Sequence, residues 1–121
     1  MAGTLTISTL SDGTNSTSST NCIQGSAKAW VNYNANAQTI SASYNVSSIT
    51  YSSTQYKVNF TNAMVDANYV TVSTCGNLYG GSTQQQYTLI QDGTFVPTAS
   101  AVQIAVSGSN NPNRVCIAIF R

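Results

Sequence analysis

A chain of 121 residues is long enough for one domain and too short for two. Only seven side chains carry a formal charge, the net charge is +1 and histidine is absent, which excludes the basic surface of a nucleic-acid-binding protein and the commonest catalytic base. The 54 Ser, Thr, Asn and Gln residues predict a surface wetted by hydroxyls and amides. Recurring short apolar runs predict a folded chain rather than a disordered one.

Alternation of apolar and polar residues with a period of two predicts short strands along the whole chain, and the helical period is missing. Residues 4–10, with Leu5 and Ile7 on one side, form the first predicted strand. The others are expected at residues 28–33, at 38–51 as two strands or one bent strand, at 56–61, and around Val70, Leu89, Ile104 and Ile117. Their spacing predicts an all-β fold, an antiparallel β-sandwich or jelly-roll-like barrel of about eight to ten strands.

Turn residues punctuate these strands. The dipeptides at 12–13, 80–81 and 92–93 end in glycine and favour tight turns, and the Asn-Asn-Pro-Asn run at 110–113 predicts a turn before the last strand. Residues 62–67 are the one place where a helical turn is expected. The sequence therefore predicts short loops between most of the strands.

The polar stretch at residues 11–26 divides the chain. Because it has almost no apolar residues, we expect it to run extended, as a linker or as an arm along a neighbouring molecule; a Ser/Thr-rich loop without a role is the alternative. The predicted organisation is an N-terminal strand and polar arm over residues 1–26, followed by a single β domain over residues 27–121.

The chain offers little for catalysis or cofactor binding. A Ser-His-Asp triad is impossible without histidine, and glutamate is also absent. Asp12 and Asp92 each precede a glycine and Asp66 lies in a predicted loop, so turn capping is the expected role of all three. We predict no catalytic residue, no cofactor and no metal site. A pair of aspartates contributed across a subunit interface is the remaining enzymatic hypothesis.

The sequence also bears on compartment. No apolar run approaches the roughly 20 residues of a membrane helix, and the start MAGTLTIST lacks a basic, apolar secretory signal. We therefore expect cytosolic synthesis without membrane insertion. The three widely spaced cysteines, Cys22, Cys75 and Cys116, predict free thiols rather than a disulfide framework or zinc site. One bridge through Cys22 or Cys75 stays open if the protein later meets an oxidising environment.

Residues 76–86, GNLYGGSTQQQ, form the best candidate for a recognition loop. They combine an aromatic ring between glycines with amides that donate and accept hydrogen bonds, which suits sugar binding by stacking and edge contacts. The alternative is a spacer in which the tyrosine folds back onto the domain. Trp30 is a second aromatic candidate, although a strand tryptophan more often caps a core or fills a subunit interface. The predicted recognition residues are Asn77, Tyr79, Gly80, Gly81, Gln84, Gln85 and Gln86.

Residues 27–74 resemble a module of phage virion proteins, many of them tail fibres or tail-associated proteins. The resemblance rests on four words in the same order: AKAWVNYN at the start, NVSSIT in the middle, then VNFT and DANY. They extend over about two-fifths of the chain. One difference is the turn after Ile-Thr, which is richer in Gly and Asp in the family and reads Ser52-Ser53-Thr54 here.

The resemblance implies a β-rich virion module, commonly at fibre ends that meet the host surface, trimeric and without catalytic residues. Residues from Cys75 onward resemble no family, as expected of a variable recognition region beside a constant scaffold. The predicted function is a non-enzymatic, tail-fibre-like virion protein, assembled in the bacterial cytoplasm, that contacts other virion proteins and a bacterial surface polysaccharide. The alternative is a capsid decoration or head-fibre protein held by its N-terminal arm. Association of copies, with a trimer favoured, would serve either role.

Overall fold

The computed structural model describes residues 3–76, 88–90, 95–107 and 111–121. These residues contain ten strands and one short helix. In chain order they are β1 (Thr9–Ser11), β2 (Ser16–Ser18), α1 (Ser19–Gly25), β3 (Ala27–Asn34), β4 (Thr39–Tyr44), β5 (Val46–Ser52), β6 (Gln55–Phe60), β7 (Val70–Cys75), β8 (Thr88–Ile90), β9 (Ala101–Val106) and β10 (Val115–Phe120).

Eight of these strands form two four-stranded antiparallel sheets. Sheet I has the order β4-β3-β10-β7, and sheet II has the order β5-β6-β9-β8. The two sheets pack as a sandwich, and the described strands do not close into a barrel. The predicted all-β fold is confirmed, with the sandwich rather than the jelly-roll-like barrel as its form.

The core lies between the sheets because alternate residues of the central strands point inward. In β3 the inward residues Ala29, Val31 and Tyr33 are buried, and the residues between them are not. The same alternation holds in β6 and β10, and β9 is buried at nearly every position. Tyr56 and Ile104 are fully buried at the centre of sheet II. Burial of these side chains is the main stabilising contribution of the fold.

Asn45 joins the two sheets at the corner between β4 and β5. Its φ of 54° places it in the left-handed region, where Asn is more tolerated than most residues. Its side-chain Nδ2 donates to the backbone carbonyl oxygens of Lys28 and Asn62, both at 3.1 Å. Its side-chain Oδ1 accepts from the backbone amide of Asn62 at 2.8 Å. The predicted choice between one bent strand and two strands is thus resolved as two strands with a polar corner.

The N-terminal residues fold differently from the sequence prediction. A strand was expected over residues 4–10, but β1 begins only at Thr9, because residues 4–8 have no partner strand to pair with. Residues 11–26 are not extended: they form β2 and α1. Ser18 caps α1 by accepting a hydrogen bond from the Asn21 amide at 3.1 Å. We name residues 3–25, the β1–β2 hairpin with α1, the arm.

The helical turn predicted at residues 62–67 is also wrong, since this segment is irregular. Its backbone is held by the turn before β9 instead: the Met64 amide donates to the Ala99 carbonyl at 2.7 Å. The Asp66 carboxylate accepts from the Asn68 amide at 2.8 Å, the local turn that its sequence context predicts. Tertiary contacts therefore outweigh any local helical preference here.

Two predicted turns can be compared with the structure. Gly13 has a φ of 94° in the β1–β2 turn, and the Asp12 carboxylate caps that turn by accepting from the amides of Thr14 (2.9 Å) and Asn15 (2.7 Å). Ser53 has a φ of 53° in the two-residue β5–β6 turn, a conformation that glycine would adopt without strain. The turns predicted at 80–81 and 92–93 lie outside the described residues.

Candidate functional site and interaction surfaces

The strand directions give the sandwich two different ends. At the loop end, β3 finishes at Asn34, β7 at Cys75 and β9 at Val106, so the connections to β4, β8 and β10 all leave from this end. The opposite end, the arm end, is where the arm joins β3 at Ala27 and where Asn45 forms its corner. The arm and the loop connections are therefore separated by the full length of the sandwich.

Three tyrosine side chains pack together at the loop end of the sandwich. The ring of buried Tyr56 contacts those of Tyr33 and Tyr51, with centroids 5.7 and 5.6 Å away. Its hydroxyl donates to Asn111 Oδ1 at 2.7 Å, and Asn111 Nδ2 donates to the Tyr51 hydroxyl at 2.7 Å. Burial raises the pKa of Tyr56 and Tyr33 above the usual tyrosine value. This network holds Asn111, four residues before β10, against the core.

The predicted recognition loop falls on residues that the structure does not describe. All seven of its candidates, Asn77, Tyr79, Gly80, Gly81, Gln84, Gln85 and Gln86, lie outside the described ranges. The residues on either side are described. The Ser73 and Thr88 hydroxyls hydrogen-bond at 2.7 Å, and the Gly76 amide donates to the Arg114 carbonyl at 2.8 Å. Both ends of the predicted loop are thus held at the loop end, with β7 at the edge of sheet I and β8 at the edge of sheet II.

The outer face of sheet I, the side away from the core, carries an apolar patch. One row crosses all four strands, since Trp30 pairs with Tyr44 and Ala118, and Ala118 pairs with Val72. Tyr44 and Val72 keep 58% and 57% of their surface exposed, and Trp30 keeps 40%. The outer face of sheet I is defined here by Tyr44, Trp30, Ala118, Val72, Val70 and Phe120. Trp30 therefore faces solvent in one chain and does not cap the core.

The outer face of sheet II is polar. Asn59 Nδ2 donates to the hydroxyls of Ser48 (3.1 Å) and Thr50 (3.2 Å) on the neighbouring strand. Gln103 Nε2 donates to Gln55 Oε1 at 3.1 Å, and the Lys57 ammonium lies 4.6 Å from the centre of the Phe95 ring. Outward side chains on this sheet thus pair with one another across the strands, as polar groups on a solvated sheet do.

The arm carries a second exposed apolar surface. Leu5, Ile7, Leu10 and Ile23 keep between 39% and 80% of their surface exposed, and no residue of α1 is buried. These four side chains line one shallow depression together with Cys22. Although the sequence of the arm is mostly polar, the fold collects its few apolar side chains on one side.

Asp12, Asp66 and Tyr69 are engaged in structural contacts. Hydrogen bonds from the Arg121 guanidinium, at 2.6 and 3.0 Å, lower the pKa of Asp66, and the Asn15 and Thr14 amides lower that of Asp12. The Tyr69 hydroxyl donates to the Thr98 and Ala101 carbonyls. Burial raises its pKa to about 12. Within the described ranges no three His, Cys, Asp or Glu side chains gather as metal ligands would.

The three cysteines all lie in described residues and are free thiols, each half-buried. Cys116 lies on the outward side of β10, between Asn32 and Thr74 on the neighbouring strands. Cys75 points toward the core, and burial raises its pKa. Cys22 therefore lies on the arm, and Cys116 lies on the outer face of sheet I.

Sequence reasoning missed the outer face of sheet I. The signal was present in β10, where residues 115–120, VCIAIF, are apolar at all six positions instead of alternating. A strand of this composition is typical of a sheet covered on both faces. Val70 and Val72 in β7 add to the same pattern, because the inward positions of that strand are Thr71 and Ser73.

Comparison of the chain with protein-family models, with curated proteins and with solved structures found no match. Among the described residues, no helix has the length and apolar character needed to cross a membrane.

Proposed function

We propose that this chain is a non-enzymatic bacteriophage virion protein, tail-fibre-like, which recognises a bacterial surface glycan at its loop end. The observation that carries the proposal is that the arm joins the sandwich at one end, whereas Gly76 and Thr88, which flank the predicted recognition loop, lie at the other end. A protein attached to a particle at one end has to present its recognition residues at the other. Loops on a sheet scaffold are a common place for such residues.

The four sequence segments that resemble the phage module occupy positions that support a scaffold role for residues 27–74. The first word coincides with β3, and the second begins at the corner residue Asn45. The last word contains Asp66, paired with Arg121, and Tyr69, whose hydroxyl donates to the carbonyls of Thr98 and of Ala101 at the start of β9. These residues make structural contacts within the sandwich, which fits a constant scaffold carrying a variable recognition region.

We propose further that copies of the chain associate, with a trimer as the favoured state, and that the arm end contacts other virion proteins. Association raises the avidity for a repeated surface glycan. A capsid decoration or head-fibre protein is the second candidate. It is favoured by one specific observation, the apolar side chains of the arm, because attachment to a shell needs such a surface.

Glycan binding is tested on the purified full chain with an array of bacterial lipopolysaccharides and capsular polysaccharides. We expect the chain to bind a subset of them, and a variant carrying Tyr79→Ala with alanine at Gln84, Gln85 and Gln86 to lose that binding. The matched control carries Asn62→Ala and Val65→Ala, two exposed residues at the arm end. Absence of binding by the unchanged chain, or equal binding by the loop variant, would refute the proposed recognition.

The location of the protein on the particle separates the two candidates. Gold-labelled antibody against the chain, imaged on intact phage by electron microscopy, should mark the tail fibres. Labelling spread over the capsid would instead select the decoration or head-fibre role. Release of reducing ends from a bacterial polysaccharide by the purified chain would overturn both, because neither role includes hydrolysis.

A further inference from the structure

The structure leaves two apolar surfaces of the same chain uncovered. One is the outer face of sheet I, and the other is the apolar side of the arm, formed by Leu5, Ile7, Leu10 and Ile23. Several exposed apolar side chains clustered on one surface usually mark a contact with another molecule. A contact between the two surfaces would cover both.

The arm is too small to hold its shape alone. An isolated helix shorter than about 12 residues is marginal in water, and α1 has seven. A lone two-stranded hairpin is marginally stable as well, and β1 and β2 have three residues each. The Ser19 amide ties the helix to the hairpin by donating to the Ser8 carbonyl at 2.9 Å, but no side chain of α1 is buried. The arm therefore needs an apolar surface to pack on.

We propose that the arm of one copy packs on the outer face of sheet I of a neighbouring copy. The inference deepens the association of copies in the proposed function and rests on that part of it. A second copy is the occupant because both surfaces belong to this chain, so each copy supplies what its neighbour lacks. The contact joins two different surfaces, and a repeated contact of this kind forms a ring, as a trimer requires, when the rotation between neighbouring copies closes.

Charge and size agree with this pairing. The arm carries one formal charge, Asp12 at the tip of its hairpin, and the outward positions of sheet I carry none except Lys28 at the start of β3. Neither surface therefore has to bury an unpaired charge. Four strands spaced about 4.8 Å apart make the apolar row roughly 14 Å wide. A helix of seven residues is about 10 Å long and fits across that row.

The exit of the arm from the sandwich is fixed. The Lys28 ammonium donates to the Ile23 carbonyl and, at 2.8 Å, to the Ser26 hydroxyl, which bridges the end of α1 to the start of β3. This contact holds α1 at the arm end while Leu5, Leu10 and Ile23 stay exposed. The arm is thus displayed from its own sandwich with its apolar side open to a neighbour.

Two native thiols allow a direct test with the full chain. Cys22 lies on the apolar side of the arm and Cys116 on the outward side of sheet I. We would prepare one variant with Cys75→Ala and Cys116→Ala, which keeps Cys22, and another with Cys22→Ala and Cys75→Ala, which keeps Cys116. Each is treated with a short bis-maleimide alone and after mixing. Covalent dimers are expected in the mixture and not in either variant alone.

Every other pattern overturns the inference. Dimers of the variant that keeps Cys116 would mean that two outer faces meet, and dimers of the variant that keeps Cys22 would mean that two arms meet. In the single variant Cys75→Ala, a crosslink within one chain would place the arm on its own sheet. Absence of crosslinks in the mixture would show that the arm does not contact the outer face of sheet I of a neighbouring copy.

A second measurement does not depend on the thiols. Ile23→Ser should raise the dissociation constant of the associated state, measured by sedimentation, by about tenfold or more. Val96→Ser is the matched control, because Val96 is 71% exposed and belongs to neither surface, and it should leave association unchanged. Far-UV circular dichroism verifies the fold of each variant. Neither measurement involves a glycan, so failure of the arm contact and failure of glycan recognition are separately visible.

Discussion

The outer faces of the two sheets differ although their inner faces share one core. On sheet II the outward Asn59 of β6 donates hydrogen bonds to the hydroxyls of Ser48 and Thr50 on β5. On sheet I the equivalent row runs from Tyr44 through Trp30 to Val72, and its exposed surface is largely aromatic and aliphatic. The difference teaches that two sheets sharing one core can expose different chemistry, polar on sheet II and largely apolar on sheet I, and it is the basis for proposing sheet I as the protein-binding side.

The largest expected effect tests whether the difference is confined to the outer faces. Ile119 of sheet I and Ile104 of sheet II are both buried against the common core. Ile119→Ala and Ile104→Ala should each lower the free energy of unfolding by about 3 kcal/mol, because both leave a cavity. Chemical denaturation at low protein concentration measures this. If the free energy of unfolding fell in only one of the two variants, the sheets would not share a core.

The next effect concerns the corner that joins the two sheets. Asn45→Ala removes three hydrogen bonds and leaves alanine at a φ of 54°, so the free energy of unfolding should fall by about 2 kcal/mol. Asn45→Gly removes the same bonds without the backbone strain and should cost less. If the two variants are equally stable, the left-handed conformation is not part of the cost.

A reciprocal pair of substitutions then compares the outer faces directly. Thr50→Val on sheet II removes an acceptor of Asn59 and should lower the free energy of unfolding by about 0.5 kcal/mol. Val72→Thr on sheet I changes an exposed side chain of the same size, so it should leave unfolding unchanged to within about 0.5 kcal/mol. It should, however, weaken association of copies in sedimentation experiments. Weakened association in Thr50→Val as well would contradict the assignment of the interface to sheet I.

The smallest effect concerns the ion pair beside the C-terminal end of β10. The Arg121 guanidinium lowers the pKa of Asp66, so the stabilisation from this pair is present above the unfolded pKa of about 4 and is lost as the pH falls through the lower, folded value. Carboxyl resonances followed by NMR should show the Asp66 pKa rising toward 3.8 in Arg121→Gln. Asp12, lowered by backbone amides instead, is the internal control and should not move.

Sequence periodicity predicted β3 and β6 well because inward apolar residues alternate with mostly polar outward residues in both strands. It failed at residues 4–8, since an alternating pattern specifies the faces of a strand but not whether a partner strand is available. It also missed α1, whose sequence STNCIQG has no charged residue and only one helical signal, the Ser18 cap. Residues that gather into a surface only after folding, such as Leu5 and Ile23, are separated in sequence by polar residues and give no periodic signal.

The aspartates and Trp30 show how far the site could be predicted. The structure bears out the capping roles of Asp12 and Asp66, because a carboxylate two residues before a free amide is a local arrangement. Asp92 lies outside the described residues. The outward position of Trp30 was set by the alternation of β3, but whether its neighbours made an apolar face depended on β7 and β10, which pair with β3 from far along the chain.

The chain has a single tryptophan, and it lies in the centre of the outer face of sheet I. Its fluorescence therefore reports directly on whether that face is covered. We expect the emission maximum of Trp30 to shift to shorter wavelength as protein concentration rises, with a midpoint that coincides with the mass increase in sedimentation. A constant emission maximum across a range in which the mass increases would show that copies meet elsewhere and that this face stays in water.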